Sequence, residues 1–198
     1  MKNVLNTFLL IVFALSATLF INSCDSLCPV RDDRIRLDFQ IEIAGNTIII
    51  FSGDSIIRPY ETAELSPYKN DRESIVNDWE VLSVKFKFSG PKKQSVVLGR
   101  TFTNFAPVGL EEAIWVDAEG VRGNGQEYEV KFIGHGKLNG CNIPTSTFTE
   151  AELKALLAQW FLDYEEFRIT CARVENTNKA DYSGTMSVYI EYRFRGCK

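Results

Sequence analysis

The chain has 198 residues, with 22 Lys and Arg against 26 Asp and Glu and a formal net charge of −4. Its positive charges are scattered and Lys92–Lys93 is an isolated pair, so neither a nucleic-acid stripe nor a polybasic membrane patch is predicted. A single histidine rules out a multi-histidine zinc site.

In chain order, Lys2 is followed by the charge-free run Phe8 to Ile21, FLLIVFALSATLFI, which ends at Asn22. A spanning helix needs about 20 apolar residues, and this run falls short and lacks a basic flank, so residues 1–23 read as a signal peptide. The sequence Ile21-Asn22-Ser23-Cys24 resembles the bacterial lipobox, with Asn22 at its tolerant position. That resemblance implies lipidation of Cys24 and export to the cell envelope, at the outer membrane facing the periplasm or the surface. Residues 24–34 then form a tether, and residues 35–198 a β-rich domain with a possible division into two modules near 120–127.

Four cysteines remain beyond Cys24: Cys28, Cys141, Cys171 and Cys197. An even number in an oxidising compartment predicts two disulfides, read here as Cys141 with Cys171 and Cys28 with Cys197. No C-x-x-C pair is present, which speaks against a zinc knuckle or a thioredoxin-type redox site.

Ile35 to Ile43 alternates strictly, predicting a half-buried strand, and Gly45-Asn46 predicts a hairpin return over Thr47 to Phe51. Asn70, Glu73, Ile75, Val76 and Trp79 suggest a short helix. Strands follow at Leu82–Phe88, about Ser95–Phe102, Ala113–Ala118 and Tyr128–Phe132, with a Gly-rich turn at Gly120–Gly125. Thr149 and Glu152 form a capping box for a helix over 149–164 whose apolar face carries Leu153, Leu156, Leu157, Trp160, Phe161 and Tyr164. Alternation resumes at Phe167–Cys171 and again at Met186–Phe194. The pattern predicts a mainly β fold: an antiparallel β-sandwich of immunoglobulin-like type, or an open barrel, with one substantial late helix.

From Tyr128 onward the order of strand, loop, TFTEAELKALL helix, FRITCARV strand, turn and SVYIEYRF strand resembles the C-terminal immunoglobulin-like domain of the gliding-motility and type IX secretion trans-envelope protein of Bacteroidetes. The resemblance implies an envelope β-domain. It covers about a third of the chain and lies in element order, not in a motif.

No G-x-S-x-G elbow, P-loop or dinucleotide fingerprint appears, and no cofactor or metal is predicted. His135, between Gly134 and Gly136, reads as a turn residue. Carboxylates cluster at Asp32-Asp33, Glu111-Glu112 and Asp163 with Glu165 and Glu166. Trp79, Trp115 and Tyr189 fall on the polar parity of their strands, which makes them candidate surface-binding aromatics. The expected function is a non-catalytic envelope lipoprotein that contacts the membrane through Cys24 and binds a protein partner or glycan. The alternatives are a lipid-anchored hydrolase using carboxylates such as Glu111 and Glu112, or a lipocalin-like carrier of a small apolar ligand.

Overall fold

A computed structural model of the chain describes residues 28–43, 49–50, 55–61, 65–70, 75–90, 98–176 and 182–196. In chain order the strands are β1 (Val30–Ile43), β2 (Ile49–Ile50), β3 (Ser55–Ile57), β4 (Ile75–Ser89), β5 (Leu98–Pro107), β6 (Glu112–Ala118), β7 (Glu127–Glu129) and β8 (Lys131–Lys137). Helix α1 (Glu150–Asp163) follows, and then β9 (Phe167–Ile169), β10 (Ala172–Asn176) and β11 (Tyr182–Gly196). They form two antiparallel sheets, one ordered β1-β11-β4-β7 and the other β2-β10-β5-β6-β8, with β9 pairing both β3 and the end of β5. The fold is a β-sandwich with a late helix, and the sheets do not close into a barrel.

The two best alternating segments of the sequence find each other across the whole chain. β1 and β11 pair in unbroken register from Val30 opposite Arg195 to Ile43 opposite Tyr182. The predicted hairpin partner of β1 instead joins the second sheet, where Ile49 and Ile50 pair with Val174 and Arg173. Alternation specifies which face of a strand is buried, but leaves its neighbour open. The Gly45-Asn46 turn lies outside the described residues.

A second correction concerns residues 75–79. The apolar positions read as a helical stripe belong to the first rungs of β4, where Ile75 pairs with Gly196 and Val76 with Arg195. β11 supplies a long template, and tertiary pairing overrides a weak local signal. Nor do β4 and β5 form a hairpin, because β5 lies in the opposite sheet.

Phe86, Phe88, Val188, Ile190 and Tyr192 from the first sheet meet Phe105, Ile114, Val116 and Val174 from the second, all buried in one core. This core is continuous across residues 120–127, with Val121 and Val130 inside it.

Helix α1 begins as predicted. The Thr149 side chain accepts from the Glu152 backbone N–H, while the Glu152 carboxylate accepts from the Thr149 N–H. Leu153, Leu157, Ala158, Trp160 and Phe161 are buried, and the helix packs on both β4 and β8, joining the two sheets along one side.

The outer face of the second sheet is covered as well. Phe102, Trp115 and Cys171 form a small satellite core with Ile133, Cys141 and Ile143 on top. Pro144 crosses so close to β8 that a Cβ built on Gly134 would stand 2.9 Å from its carbonyl oxygen, and one on Gly136 would stand 2.9 Å from its ring. Those glycines keep the strand flat enough for the covering segment to lie on it.

Candidate functional site

Cys141 and Cys171 are disulfide-bonded, with Cα atoms 5.5 Å apart, which is one of the two expected pairings among three possible connectivities. The bond ties the segment over Trp115 to the junction of β9 and β10. Cys28 is also disulfide-bonded, whereas Cys24 and Cys197 lie outside the described residues. With Cys141 and Cys171 joined to each other, the expected pairing gives Cys28 to Cys197. A non-reducing peptide map is therefore expected to yield a Cys28–Cys197 linked pair that reduction separates; any other partner for Cys28 contradicts the expectation.

The three aromatics expected at the surface are all buried, which corrects that expectation in three different ways. Trp115 is 0% exposed because the stapled 138–149 segment covers its face of the sheet. Tyr189 is 3% exposed beneath the Arg34 guanidinium, whose carbon stands 3.8 Å from the ring centroid. Trp79 is 8% exposed, stacked on Tyr192 at 4.8 Å and meeting Phe161 edge-on at 6.0 Å.

Around Tyr189 the outer face of the first sheet is a lattice of paired charges. Arg34 reaches Glu127 at 2.8 Å, Lys85 reaches Glu191 at 2.7 Å, and Ser83 donates to the same carboxylate at 2.6 Å. Burial alone would raise the Glu191 pKa, but the hydrogen bonds from Lys85 and Ser83 and the Lys85 charge outweigh it and hold the carboxyl below its ordinary 4.5. A depressed folded-state pKa stabilises the fold above the unfolded value, and that contribution is lost as pH falls below about 4.5 through the folded pKa. Lys85→Met is accordingly expected to raise the pH midpoint of acid unfolding followed by circular dichroism. An unchanged midpoint would show that the pair contributes nothing.

Trp79 lines a groove. It and Val81 on β4 face the helix residues Ala151, Ala155, Ala158 and Leu162, with Glu80, Lys154 and Gln159 at the rim, enclosing about 410 Å³. The size falls in the range of small-ligand pockets. The alanines recur on one helix face, where larger side chains would close the space against β4. Trp79 Nε1 is buried and has no acceptor, an unusual state for an indole N–H. The groove thus combines apolar walls with a rim of both charges.

No family model matches the sequence, and no curated protein does. Among solved structures the chain is similar to the 60-mer capsid protein of BFDV, at 10% identity and a TM-score of 0.32 over 86% of this chain and 95% of that one. It is likewise similar to desmodium yellow mottle tymovirus, at 10% identity and a TM-score of 0.26 over 84% and 89%. Likeness this remote assigns no task.

The remaining chemistry is dispersed. His135 is not a turn residue: it sits within β8 opposite Ile114, its ring 5.2 Å from Phe148 and 5.8 Å from Trp160, and its Nε2 3.2 Å from a Glu112 oxygen but outside hydrogen-bond geometry. Glu111 is exposed while Glu112 leans on His135. Asp33 accepts from the Tyr192 hydroxyl at 2.7 Å, Asp32 pairs with Arg193, and Glu166 pairs with Arg58. Asp32, Asp33 and Glu166 thus each have a structural partner. Among the described residues no group of three or more His, Cys, Asp or Glu is placed to hold a metal ion, and no helix is long and apolar enough to cross a membrane.

The unused donor gives the groove its own test. Trp79→Phe removes a buried N–H that makes no hydrogen bond while keeping an aromatic ring on Tyr192, so the loss of packing volume and the relief of an unsatisfied donor, worth about 1–3 kcal/mol, act in opposite directions. The variant is expected to lie within about 1 kcal/mol of the parent, whereas Trp79→Ala loses about 3–5 kcal/mol. Urea denaturation distinguishes them, and equal losses would mean that the indole N–H is satisfied after all.

Proposed function

We propose that the chain is an exported lipoprotein, anchored to the cell envelope through Cys24, whose β-sandwich binds a protein partner or glycan without catalysing a reaction. The observation that carries the binding reading is the groove between α1 and β4, because it pairs apolar walls with a polar rim of Glu80, Lys154 and Gln159. A sugar ring or a peptide presents both an apolar face and polar groups, which such walls and such a rim suit. The disulfide bonding of Cys28, Cys141 and Cys171 supports an oxidising compartment, where such bonds form and persist.

The test is a photo-crosslinking amino acid at Ala155 in intact cells, with the purified domain applied in parallel to a glycan array. The expected result is one reproducible adduct, or one retained glycan class, that Trp79→Phe weakens. Recovery of uncrosslinked monomer with no glycan retained would reject the binding role.

A further inference from the structure

We infer that the Cys28 end of the four-stranded sheet seats against the bilayer surface, so that β1, β4 and β11 stand away from the membrane and the Trp79 groove opens close to the lipid. The inference rests on the lipid anchoring of Cys24 proposed above, and adds to it an orientation and a contact surface.

Tether length is the first consideration. Four peptide steps separate Cys24 from Cys28, and a fully extended chain gains at most about 3.6 Å per step, so the lipid-bearing residue lies within about 14 Å of Cys28. Cys28 is itself disulfide-bonded, and β1 begins two residues later at Val30. The leash is therefore far shorter than the sheet, since a strand of 15 residues such as β11 extends for about 45 Å.

The surface at this end is the second. Val30 is an apolar side chain 48% exposed, and Arg31 beside it is exposed too. Tyr68 packs under Gly196, where a Cβ would collide with its hydroxyl, and so brings exposed Lys69 to the same end of the sheet. An apolar residue with flanking cations suits the boundary between headgroups and acyl chains, each cation near an anionic surface contributing about 1 kcal/mol. The acidic neighbours are held in their turn: Asp32 and Glu80 by Arg193, Asp33 by the Tyr192 hydroxyl, and Glu61 and Glu166, which with Glu165 share a pocket with Lys69, by Arg58.

The broad outer face of this sheet is a poor alternative footing. Laying it on the membrane would press Asp38, Glu127 and Glu191, with their partner cations, against the headgroups and strip their water. An upright stance leaves that lattice solvated. It also fixes the height of the groove: Glu80 on the rim pairs with Arg193, opposite Asp32, two residues along β1 from Val30, or about 7 Å from the footing. The opposite end, where the Gly125 N–H bonds the Phe88 carbonyl, points into the aqueous space.

The experiment uses the full lipidated chain in vesicles of phosphatidylethanolamine and phosphatidylglycerol whose acyl chains carry bromine. A fluorophore is placed at Val30→Cys or Lys69→Cys near the footing, and at Asn124→Cys or Gln40→Cys far from it; two sites per end guard against one variant misfolding. Quenching several-fold stronger at 30 and 69 than at 124 and 40 is expected. Intact mass on the same preparations reads the lipid. Acylated Cys24 with equal quenching at both ends, or stronger quenching at 124, overturns the orientation alone, while a bare Cys24 overturns the anchoring and the orientation together.

Discussion

Asn104→Ala is expected to destabilise the fold by about 4 kcal/mol, the largest effect of any single polar substitution in the second sheet. The side chain is 0% exposed and sits where β9 gives way to β10 opposite β5. There the ladder is interrupted at Thr170 and Cys171, and one amide group completes it: Oδ1 accepts from the backbone N–H of both residues at 3.0 Å, and Nδ2 donates to the Thr170 hydroxyl at 2.7 Å. Alanine leaves two buried backbone donors without acceptors, each costing about 1–3 kcal/mol. Asn104→Asp keeps both acceptors but loses the donor and buries a charge, so it is expected to fail as well. Urea denaturation of the purified domain decides the matter. A loss below about 1 kcal/mol for alanine would mean that water or a rearranged strand replaces the amide.

Replacing Cys141 and Cys171 together by serine is expected to cost about 3–4 kcal/mol. The bond spans 30 residues, including all of α1, and in the chain-entropy description closing a loop of that length removes freedom chiefly from the unfolded state. A local consequence follows from the satellite core. With the staple gone, the 138–149 segment is held over Trp115 chiefly by Ile143 and the close fit of Pro144 on Gly134 and Gly136. Amide hydrogen exchange should therefore accelerate in β6 and β8 well before the β1–β11 pair is affected. Uniform loss of protection in both sheets would show that the staple holds the sandwich as a whole, not its outer cover.

These two sites lie in the part of the fold that was hardest to read. Strict alternation in β1 and β11 and the Thr149–Glu152 capping box are local patterns, and the architecture and helix follow from them. Pairing between segments some 150 residues apart has no local signature, whereas the Gly45-Asn46 turn chemistry points β1 to a hairpin with Thr47–Phe51. Trp115 was misassigned because parity arguments suppose one wet face, whereas β6 is covered on both. The signal that would have found the cover was present: Gly134 and Gly136 are two apart in a strand, and a glycine on the same face at each position marks close approach by another backbone. Read as a turn, they concealed it.

The candidate groove was only partly legible. Strand parity marks Trp79 as an exposed aromatic, whereas it is a buried ring beside a helix whose groove face is largely alanine. The alanine spacing is visible in the sequence, but its juxtaposition with β4 depends on how α1 bridges the sheets. Cys24, by contrast, is purely local chemistry, read from four residues and a run of apolar ones.

The intact mass of the N-terminal peptide, taken from protein purified out of native membranes, is the most direct single measurement. The expected result is a chain that starts at Cys24 with a diacylglycerol thioether, and a Cys24→Ser variant that leaves the membrane fraction. A chain that starts elsewhere, or a Cys24 without lipid, would contradict the anchored domain proposed here.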